Sequence, residues 1–246
     1  MTGFDESRLQ QFQALFQQAF GHPISQALWR WKYAEGRGCA IVAWRDQRLV
    51  AHYGGMRRRV LAFGKPLEAL QVGDAMVDPP ERAVMTKSGV MFQCTAAFLE
   101  LYQGLAEVPL AFGFPNHRAM GLGERLGLYA EVGSLVELRW PAGTMRPRLT
   151  TRLRSLEPSR RSHRASVAHL WVDMAEDLVD GIVGVRDWAW IKHRYLAHPE
   201  HRYDLLFVES RLTGQSLGLL VMRRHKDTLE LVDLIGPLRQ ITALVV

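Results

Sequence analysis

Residues 70–128 read LQVGDAMVDPPERAVMTKSGVMFQCTAAFLELYQGLAEVPLAFGFPNHRAMGLGERLGL, and this stretch decides how the chain folds. Its spacing of apolar residues, breakers and glycines predicts a strand, a loop, a helix, a second strand and a second helix, in that order. The expected elements are a strand at Leu70–Asp78, a loop at Pro79–Gly89, a helix at Val90–Tyr102, a short buried strand at Pro109–Phe114 and a helix at Asn116–Gly127.

The loop between the first strand and the first helix is a candidate anion site. The first turn of a helix presents backbone N–H groups that have no partner within the helix, and its dipole favours negative charge. A phosphorylated ligand would therefore bind at the end of this loop, near Thr86–Val90.

Composition limits the possible classes of protein. The 246 residues are 48% hydrophobic and 23% charged, which is typical of a soluble globular protein. The net charge of +6 suits an anionic ligand such as a nucleotide-containing cofactor. The N-terminus is polar, and no uncharged run approaches the roughly 18 residues that a membrane span requires. We therefore expect a cytoplasmic protein without a membrane partner. Cys39 and Cys94 should be buried free thiols, and no residue spacing indicates a metal site.

Further elements are expected on either side of the central stretch. The long strand at Leu49–Phe63 contains Gly54-Gly55, which suggests a β-bulge. The other expected elements are an amphipathic helix at Asp5–Phe20, a short helix at Ser25–Tyr33 and strands at Cys39–Trp44, Leu128–Trp140 and Leu149–Leu156, then helices at Ser166–Ile182 and Arg186–Pro199 and strands at Tyr203–Ser210, Gln215–Arg224 and Thr228–Gly236.

The order of elements repeats along the chain. A Trp-rich helix with a tyrosine, followed by successive strands, occurs twice, and Tyr33 and Tyr195 lie 162 positions apart. This self-similarity suggests duplicated domains at residues 1–140 and 149–246, joined by the Pro/Gly/Arg-rich segment Pro141–Arg148. The second copy contains no counterpart of the loop and helix at Pro79–Tyr102. Two unrelated α+β segments that both use aromatic helices are the alternative.

Two motifs in this arrangement resemble the GNAT acetyltransferase superfamily, and within it the tandem-domain members. Val77, Pro79 and Arg82 match the family's V-x-P-x-x-R, although the Gly-rich turn that follows in the family is absent and the first glycine is Gly89. Further along, Asn116, Ala119, Gly127 and Leu128 match N-x-x-A-x-x-x-Y-x-x-x-G-F. The family's tyrosine, which often protonates the departing thiolate, is Gly123 here. Tyr129 is expected to be a packing residue on the following strand.

The resemblance implies an α+β fold: a GNAT-like mixed sheet flanked by helices, with a second, incomplete GNAT-like copy. It implies acetyl-CoA as cosubstrate and transfer of its acetyl group to an amine. The candidate base is Asp74, with His52 and Glu68 as weaker candidates, and the second motif adds Asn116 as a catalytic candidate. A structural Asp74 that is held by hydrogen bonds is the alternative. The residues expected to bind the cosubstrate are Met76, Val77, Arg82, Thr86, Lys87, Ser88, Gly89 and Val90.

Two alternatives to this function stay open. One is a FemABX-like enzyme that takes aminoacyl groups from charged tRNA, which is the only reading that involves a nucleic acid. The other is a GNAT-like binding module that has lost catalysis, which the long loop and Gly123 favour. In the main reading the partner is a small-molecule or peptide amine, and a homodimer is possible. We also expect the strands Leu70–Asp78 and Pro109–Phe114 to splay apart, because the pantetheine arm of the cosubstrate would pair with their exposed edges.

Overall fold

The computed structural model describes residues 8–83, 86–105, 108–141 and 149–245. The chain divides into two compact units. The first comprises the residues up to Arg58 together with Glu68–Leu138, and the second comprises Arg59–Leu67 and the residues from Arg139 onward. The segment Arg59–Leu67 is the tip of a long hairpin, so the division is not a single cut in the sequence.

The first unit begins with two helices that the sequence specifies locally. Helix α1 (Leu9–Phe20) buries one apolar face and ends at Gly21, whose φ of 77° is the left-handed conformation that favours glycine. The predicted start at Asp5 falls outside the described residues. Helix α2 (Gln26–Tyr33) begins after Ser25, whose hydroxyl accepts a 3.0 Å hydrogen bond from the Leu28 N–H group.

The strands of the first unit form one mixed sheet. Its strands lie side by side in the order β1, β2, β3, β4, with β1 and β2 antiparallel and β3 and β4 parallel. Helix α3 extends from its α-helical part into a π-helical turn over Glu100–Leu105. The elements are β1 (Gly38–Arg45), β2 (Arg48–Ala62), β3 (Lys65–Val77), α3 (Val90–Leu99), β4 (Leu110–Phe112) and α4 (His117–Arg125).

Each face of this sheet has its own hydrophobic core. Helices α1 and α2 cover one face, where Phe12, Trp29 and Met76 pack together. Helix α3 covers the other, where Phe98 packs with Leu70 and other buried residues. Cys39 and Cys94 are buried free thiols in this second core, as predicted.

Strands β3 and β4 share only a short contact. They pair at Ala69 with Leu110, at Leu70 with Ala111 and at Gln71 with Phe112, after which β4 ends while β3 continues to Val77. All three residues of β4 therefore pair with β3, and Gly113 still lies beside Val72, because a Cβ atom on this glycine would be 3.4 Å from Val72 Cβ. Beyond that point the splay expected from the sequence stays a prediction. The second half of β3 has an edge that β4 does not cover.

Strand β3 also changes face within this uncovered half. Leu70 and Val72 pack into the α3 core. Met76 packs into the core on the opposite face of the sheet, whereas Val77 packs into the α3 core again. Residues separated by an even number normally share one face of a strand. The alternation slips at Asp74, which has a left-handed φ of 53°. This slip is the effect of a β-bulge.

The bulge predicted at Gly54-Gly55 is absent from the pairing of β2 with β1. Ala40 pairs with Gly54 and Cys39 with Gly55 in unbroken register, and the irregularity in this strand pair lies between Ala43 and Trp44. Gly54 instead leaves space for the ring of His52, because a Cβ atom on Gly54 would lie 2.4 Å from His52 Cε1. Glycine inside a strand can mark a close approach of another group as well as a bulge.

The predicted strand at Leu128–Trp140 does not form. Residues 129–141 lie in no regular secondary structure, and the large apolar side chains of this segment are exposed, including Val136 at 80% and Trp140 at 74%. Its alternating pattern is that of a strand, but a strand requires a hydrogen-bonded neighbour. None of the described strands pairs with this segment.

The second unit is built around an antiparallel sheet with the strand order β5, β7, β8, β9. Strand β6, which the sequence did not predict, pairs with Val60–Ala62 at the hairpin tip. The elements are β5 (Thr151–Ser155), α5 (Arg161–Asp177), β6 (Ile182–Gly184), α6 (Trp188–Ile191) with a π-helical turn over Lys192–Leu196, β7 (Asp204–Ser210), β8 (Ser216–His225), β9 (Thr228–Ile235) and α7 (Ile241–Val245). None of the helices in the described ranges has the length and apolar character that a bilayer crossing requires.

The space beside Gly54 gives a stability prediction. We expect Gly54→Ala to destabilise the protein by about 1–3 kcal/mol in urea unfolding, because the new methyl group must displace the buried ring of His52. Gly121→Ala is the matched control, since its Cβ meets nothing within 4 Å and alanine favours the helix in which it lies. Equal stability of the two variants would contradict this account.

Candidate active site

Asp74 lies at the centre of a polar cluster on the α2 face of the sheet. Lys32 Nζ donates to both carboxylate oxygens, at 2.8 and 2.9 Å, and the Tyr33 hydroxyl donates to Oδ2. The Asp74 side chain is about one-tenth exposed. The sequence singled out Asp74 and, through the repeat, Tyr33. It did not single out Lys32, although its position beside Tyr33 at the end of a helix was a usable signal.

His52 binds the same residue through the backbone. Its Nδ1 lies 2.8 Å from the carbonyl oxygen of Asp74, and because a carbonyl can only accept, Nδ1 carries the proton. The ring is fully buried and packs edge-on against Phe12, with centroids 4.9 Å apart. Burial lowers the pKa of His52, so the ring is neutral at pH 7. A buried neutral imidazole with this hydrogen bond is a structural donor rather than an exposed base.

Tyr33 is held in its protonated form. Burial, followed by the nearby charge of Asp74, raises the pKa of Tyr33 well above its ordinary value. Its hydroxyl therefore stays a donor to the carboxylate over the whole physiological range. Lys32, Tyr33 and His52 together hold Asp74 by both its side chain and its main chain.

The loop after β3 leads into an open helix start. A 3-10 turn at Pro79–Ala83 follows the strand, and Arg82 Nε donates to the carbonyl of Val77 at 2.9 Å, so this arginine braces the strand end. Residues 84 and 85 of the loop lie outside the described ranges. The extended Gly89 precedes α3, and no side chain of the described residues caps the helix.

The residues around this helix start can accommodate an anion. The Gly89 N–H group donates to the Thr86 carbonyl at 2.9 Å, which closes a turn that brings Thr86 and Ser88 together, with 2.7 Å between their hydroxyl oxygens. Lys87 is exposed on the same turn. Uncapped N–H groups, two hydroxyls and a cation fit a phosphate group chemically.

The remaining candidates have more ordinary surroundings. Asn116 caps α4, its side-chain oxygen accepting from the Ala119 N–H group at 2.9 Å. Glu68 forms an ion pair with Arg57 and lies at the exposed beginning of β3. The side chains of Met76 and Val77 are buried, so only their backbone groups are available to a ligand. Within the described ranges, no three His, Cys, Asp or Glu side chains cluster as metal ligands would.

Tyr129 covers the position where the motif lacks a tyrosine. A Cβ atom on Gly123 would lie 2.0 Å from Tyr129 Cζ and 2.5 Å from its hydroxyl oxygen, so this ring lies directly against the glycine. The hydroxyl donates to the Ala119 carbonyl at 3.0 Å, and burial raises the pKa of Tyr129. Tyr129 was expected on a strand, which is absent; its ring packs on α4 instead.

The second unit contains a cluster equivalent to that of Asp74. The Tyr195 hydroxyl donates to Asp233 Oδ2 at 2.7 Å, and Arg186 Nε donates to Oδ1 at 2.8 Å. Asp233 lies on β9, the third strand after its Trp-rich helix, as Asp74 lies on β3. Strand β9 also has a register shift immediately before Asp233, where Val232 has no partner in β8. This correspondence supports the duplication that the sequence suggested.

Comparison with known proteins identifies relatives of the first unit. Residues 3–130 match the family model described as an acetyltransferase (GNAT) domain. A search of the curated proteins gave no significant match.

Solved structures share the fold of almost the whole chain. A protein of Enterococcus faecalis V583, described as a probable N-acyltransferase, superposes on 95% of the chain with a TM-score of 0.65 and 13% identity. GCN5-related N-acetyltransferases of Anabaena variabilis and Kribbella flavida each superpose on 96%, with TM-scores of 0.62 and 0.60 and identities of 11% and 15%. The chain covers 57%, 58% and 56% of these three proteins, respectively, so it spans little more than half of their length.

The buried neutral His52 predicts a specific loss of stability in acid. Because its folded pKa lies below the unfolded value near 6.5, its contribution is complete above pH 6.5 and is lost as the pH falls through the folded pKa. The slope is at most about 1.4 kcal/mol per pH unit. Urea unfolding at pH 7, 6 and 5 should show a steeper loss for the native protein than for His52→Asn. Parallel losses would show that His52 does not titrate on unfolding.

Proposed function

The chain belongs to the GNAT acetyltransferases, and on that premise we propose that its first unit transfers an acetyl group from acetyl-CoA to an amine. When bound, acetyl-CoA supplies an acetyl group that is already activated as a thioester. Proximity and orientation then account for most of the rate that the protein must provide. The acceptor is proposed only as a class, a small-molecule or peptide amine.

One observation carries this proposal: an uncovered strand edge leads directly to an uncapped helix start. Strand β3 is paired with β4 only as far as Gln71. The same strand ends at the loop that precedes α3. An elongated ligand with amide groups and a terminal phosphate would pair with the first and be bound by the second. We assign the phosphate contacts to Thr86, Lys87, Ser88, Gly89 and Val90, with Arg82 nearby in the 3-10 turn that follows β3.

Met76 and Val77 were expected to bind the cosubstrate, and we propose that the backbone N–H group of Val77, which is better oriented than that of Met76, donates to its acyl carbonyl. The Asp78 N–H group donates to the Val50 carbonyl on β2 at 2.8 Å. Backbone groups of successive strand residues point to opposite neighbours, so the N–H group of Val77 points away from β2, towards the side that β4 has left. A donor aimed at the developing oxyanion is the largest single contribution in many acyl transfers.

Proton transfers complete the proposed reaction. We retain Asp74 as the acceptor of the amine proton, through water, because its carboxylate is the partly exposed acceptor on the strand that carries the donors. Asn116 contributes by fixing the start of α4. For the leaving sulfur we propose Tyr129 as the proton donor. Its raised pKa keeps the phenol protonated, and its ring lies on the face of α4 next to Gly123.

Lys87 provides the first test of the phosphate site. We expect Lys87→Ala to weaken binding of acetyl-CoA by about tenfold or more, because a hydrogen bond to a charged group contributes roughly 1.5–3 kcal/mol and 1.4 kcal/mol is tenfold. Isothermal calorimetry measures the affinity. Lys65→Ala, another exposed lysine at the start of β3, is the control and should bind like the native protein.

The outcomes of this titration separate the candidate functions. Equal affinity of native and Lys87→Ala protein would remove Lys87 from the site and leave the backbone N–H groups as the phosphate ligands. No binding by the native protein would contradict the proposed function. Thermal shift with acetyl-CoA, desulfo-CoA and tRNA then distinguishes a FemABX-like enzyme, which tRNA alone would stabilise, from a binding module, which would be stabilised without turnover.

Tyr129 provides a test of chemistry. We expect Tyr129→Phe to lower kcat by about 10²–10⁴-fold, the usual contribution of a general acid, with little change in binding of acetyl-CoA. Release of free thiol from acetyl-CoA, measured against a panel of amines, amino acids and peptides, reports turnover. Tyr102→Phe, at the end of α3, is the control. An unchanged kcat in Tyr129→Phe would return Tyr129 to the packing role expected from the sequence.

A further inference from the structure

The backbone at Asp74 is strained, and the surrounding side chains hold it in that state. Its φ of 53° lies inside a strand, in a region that non-glycine residues rarely adopt. Such residues persist only where neighbouring groups determine them, and they cluster at functional sites. At Asp74 the determining groups are Lys32 and Tyr33 on the carboxylate and His52 on the carbonyl.

Comparison with the second unit shows which contacts of this cluster occur in both units and which occur only in the first. Tyr195 and Arg186 bind Asp233 there much as Tyr33 and Lys32 bind Asp74, so contacts to the carboxylate occur in both units. Asp233, however, keeps a negative φ. Val221, which pairs with Asp233 from the neighbouring strand β8, is a fully buried apolar residue and offers the Asp233 carbonyl no side-chain donor. The hydrogen bond from His52 to the Asp74 carbonyl and the left-handed backbone of Asp74 therefore occur together, in the unit that contains the loop after β3.

The fold makes specific room for this histidine. Gly54, two residues along β2, lies beneath the ring and admits no Cβ atom without displacing it. Phe12 and Tyr33 confine the ring on its other sides, with centroids 4.9 and 6.0 Å away. A buried polar group at such a position requires its hydrogen bond, and the Asp74 carbonyl supplies the acceptor.

From these observations we propose that His52 is a positioning residue for the acyl carbonyl. By holding the Asp74 carbonyl it fixes the left-handed turn, and the turn sets the direction of the β3 peptides that follow, including the Val77 N–H group. This inference rests on the proposed function, because the group that Val77 would bind is the thioester carbonyl. His52 touches neither the cosubstrate nor the amine in this account; it acts through three residues of strand.

The test uses the carbonyl itself as the probe, so no acceptor is needed. Acetyl-CoA labelled with ¹³C at the carbonyl is bound to the protein, and the isotope-edited infrared band reports hydrogen bonding to that oxygen. We expect the bound band of the native protein to lie at lower wavenumber than that of free acetyl-CoA. His52→Leu, which fills a similar volume with an apolar side chain and removes the N–H donor, should lose this shift. His52→Asn, whose amide can donate from a position near that of Nδ1, should retain most of it.

Controls distinguish positioning from stability alone. Gly54→Ala, which displaces the ring without removing it, should also lose the shift and serves if His52→Leu does not fold. Tyr195→Phe removes the equivalent hydrogen bond in the second unit and should lower the melting temperature without moving the band. Affinity for CoA without an acetyl group should stay within twofold in all variants.

The possible failures are separable. A band in His52→Leu and Gly54→Ala that matches the native one would overturn the inference and leave the proposed function intact. Failure of the native protein to bind acetyl-CoA would overturn the proposed function and the inference with it. A band shift that Tyr195→Phe also abolishes would assign the effect to general destabilisation and likewise overturn the role of His52.

Discussion

The hydrogen bonds to the side chain and the carbonyl of Asp74 are the constraint on which the rest of the first unit depends. A left-handed aspartate in the middle of a strand is unfavourable by roughly 1–3 kcal/mol, and here three buried or half-buried partners offset it. The resulting slip in alternation decides which of the two cores Met76 and Val77 each enter.

The duplicated cluster shows how one framework can be specialised. Both units place a tyrosine from a Trp-rich helix against an aspartate on the third strand, with a cation completing the pair. This shared part ties a helix to a sheet. The first unit adds His52, Gly54 and the open loop, which change the direction of the backbone. The proposed base, Asp74, belongs to the shared part, whereas the proposed positioning and phosphate contacts lie where the two units differ.

Open hydrogen-bonding edges connect the fold to the proposed chemistry. Strand β4 ends after three residues that pair with β3, and α3 begins without a side-chain cap among the described residues. Both features expose polar backbone groups that a purely structural protein would satisfy internally. An elongated anionic ligand with amide groups satisfies both, which is why the geometry supports a coenzyme A thioester better than a small neutral ligand.

The sequence by itself determined the elements whose signals are local. The helices with caps and periodic apolar faces, the strands of both sheets other than β6, and the family motifs were predictable, because each depends on residues close together in the chain. Only the tertiary structure decided the rest. Asp74 rather than Gly54-Gly55 carries the irregularity, because the partners of Asp74 come from residues 32, 33 and 52. Residues 129–141 carry a strand pattern without forming a strand, since pairing depends on a neighbour that no local pattern encodes.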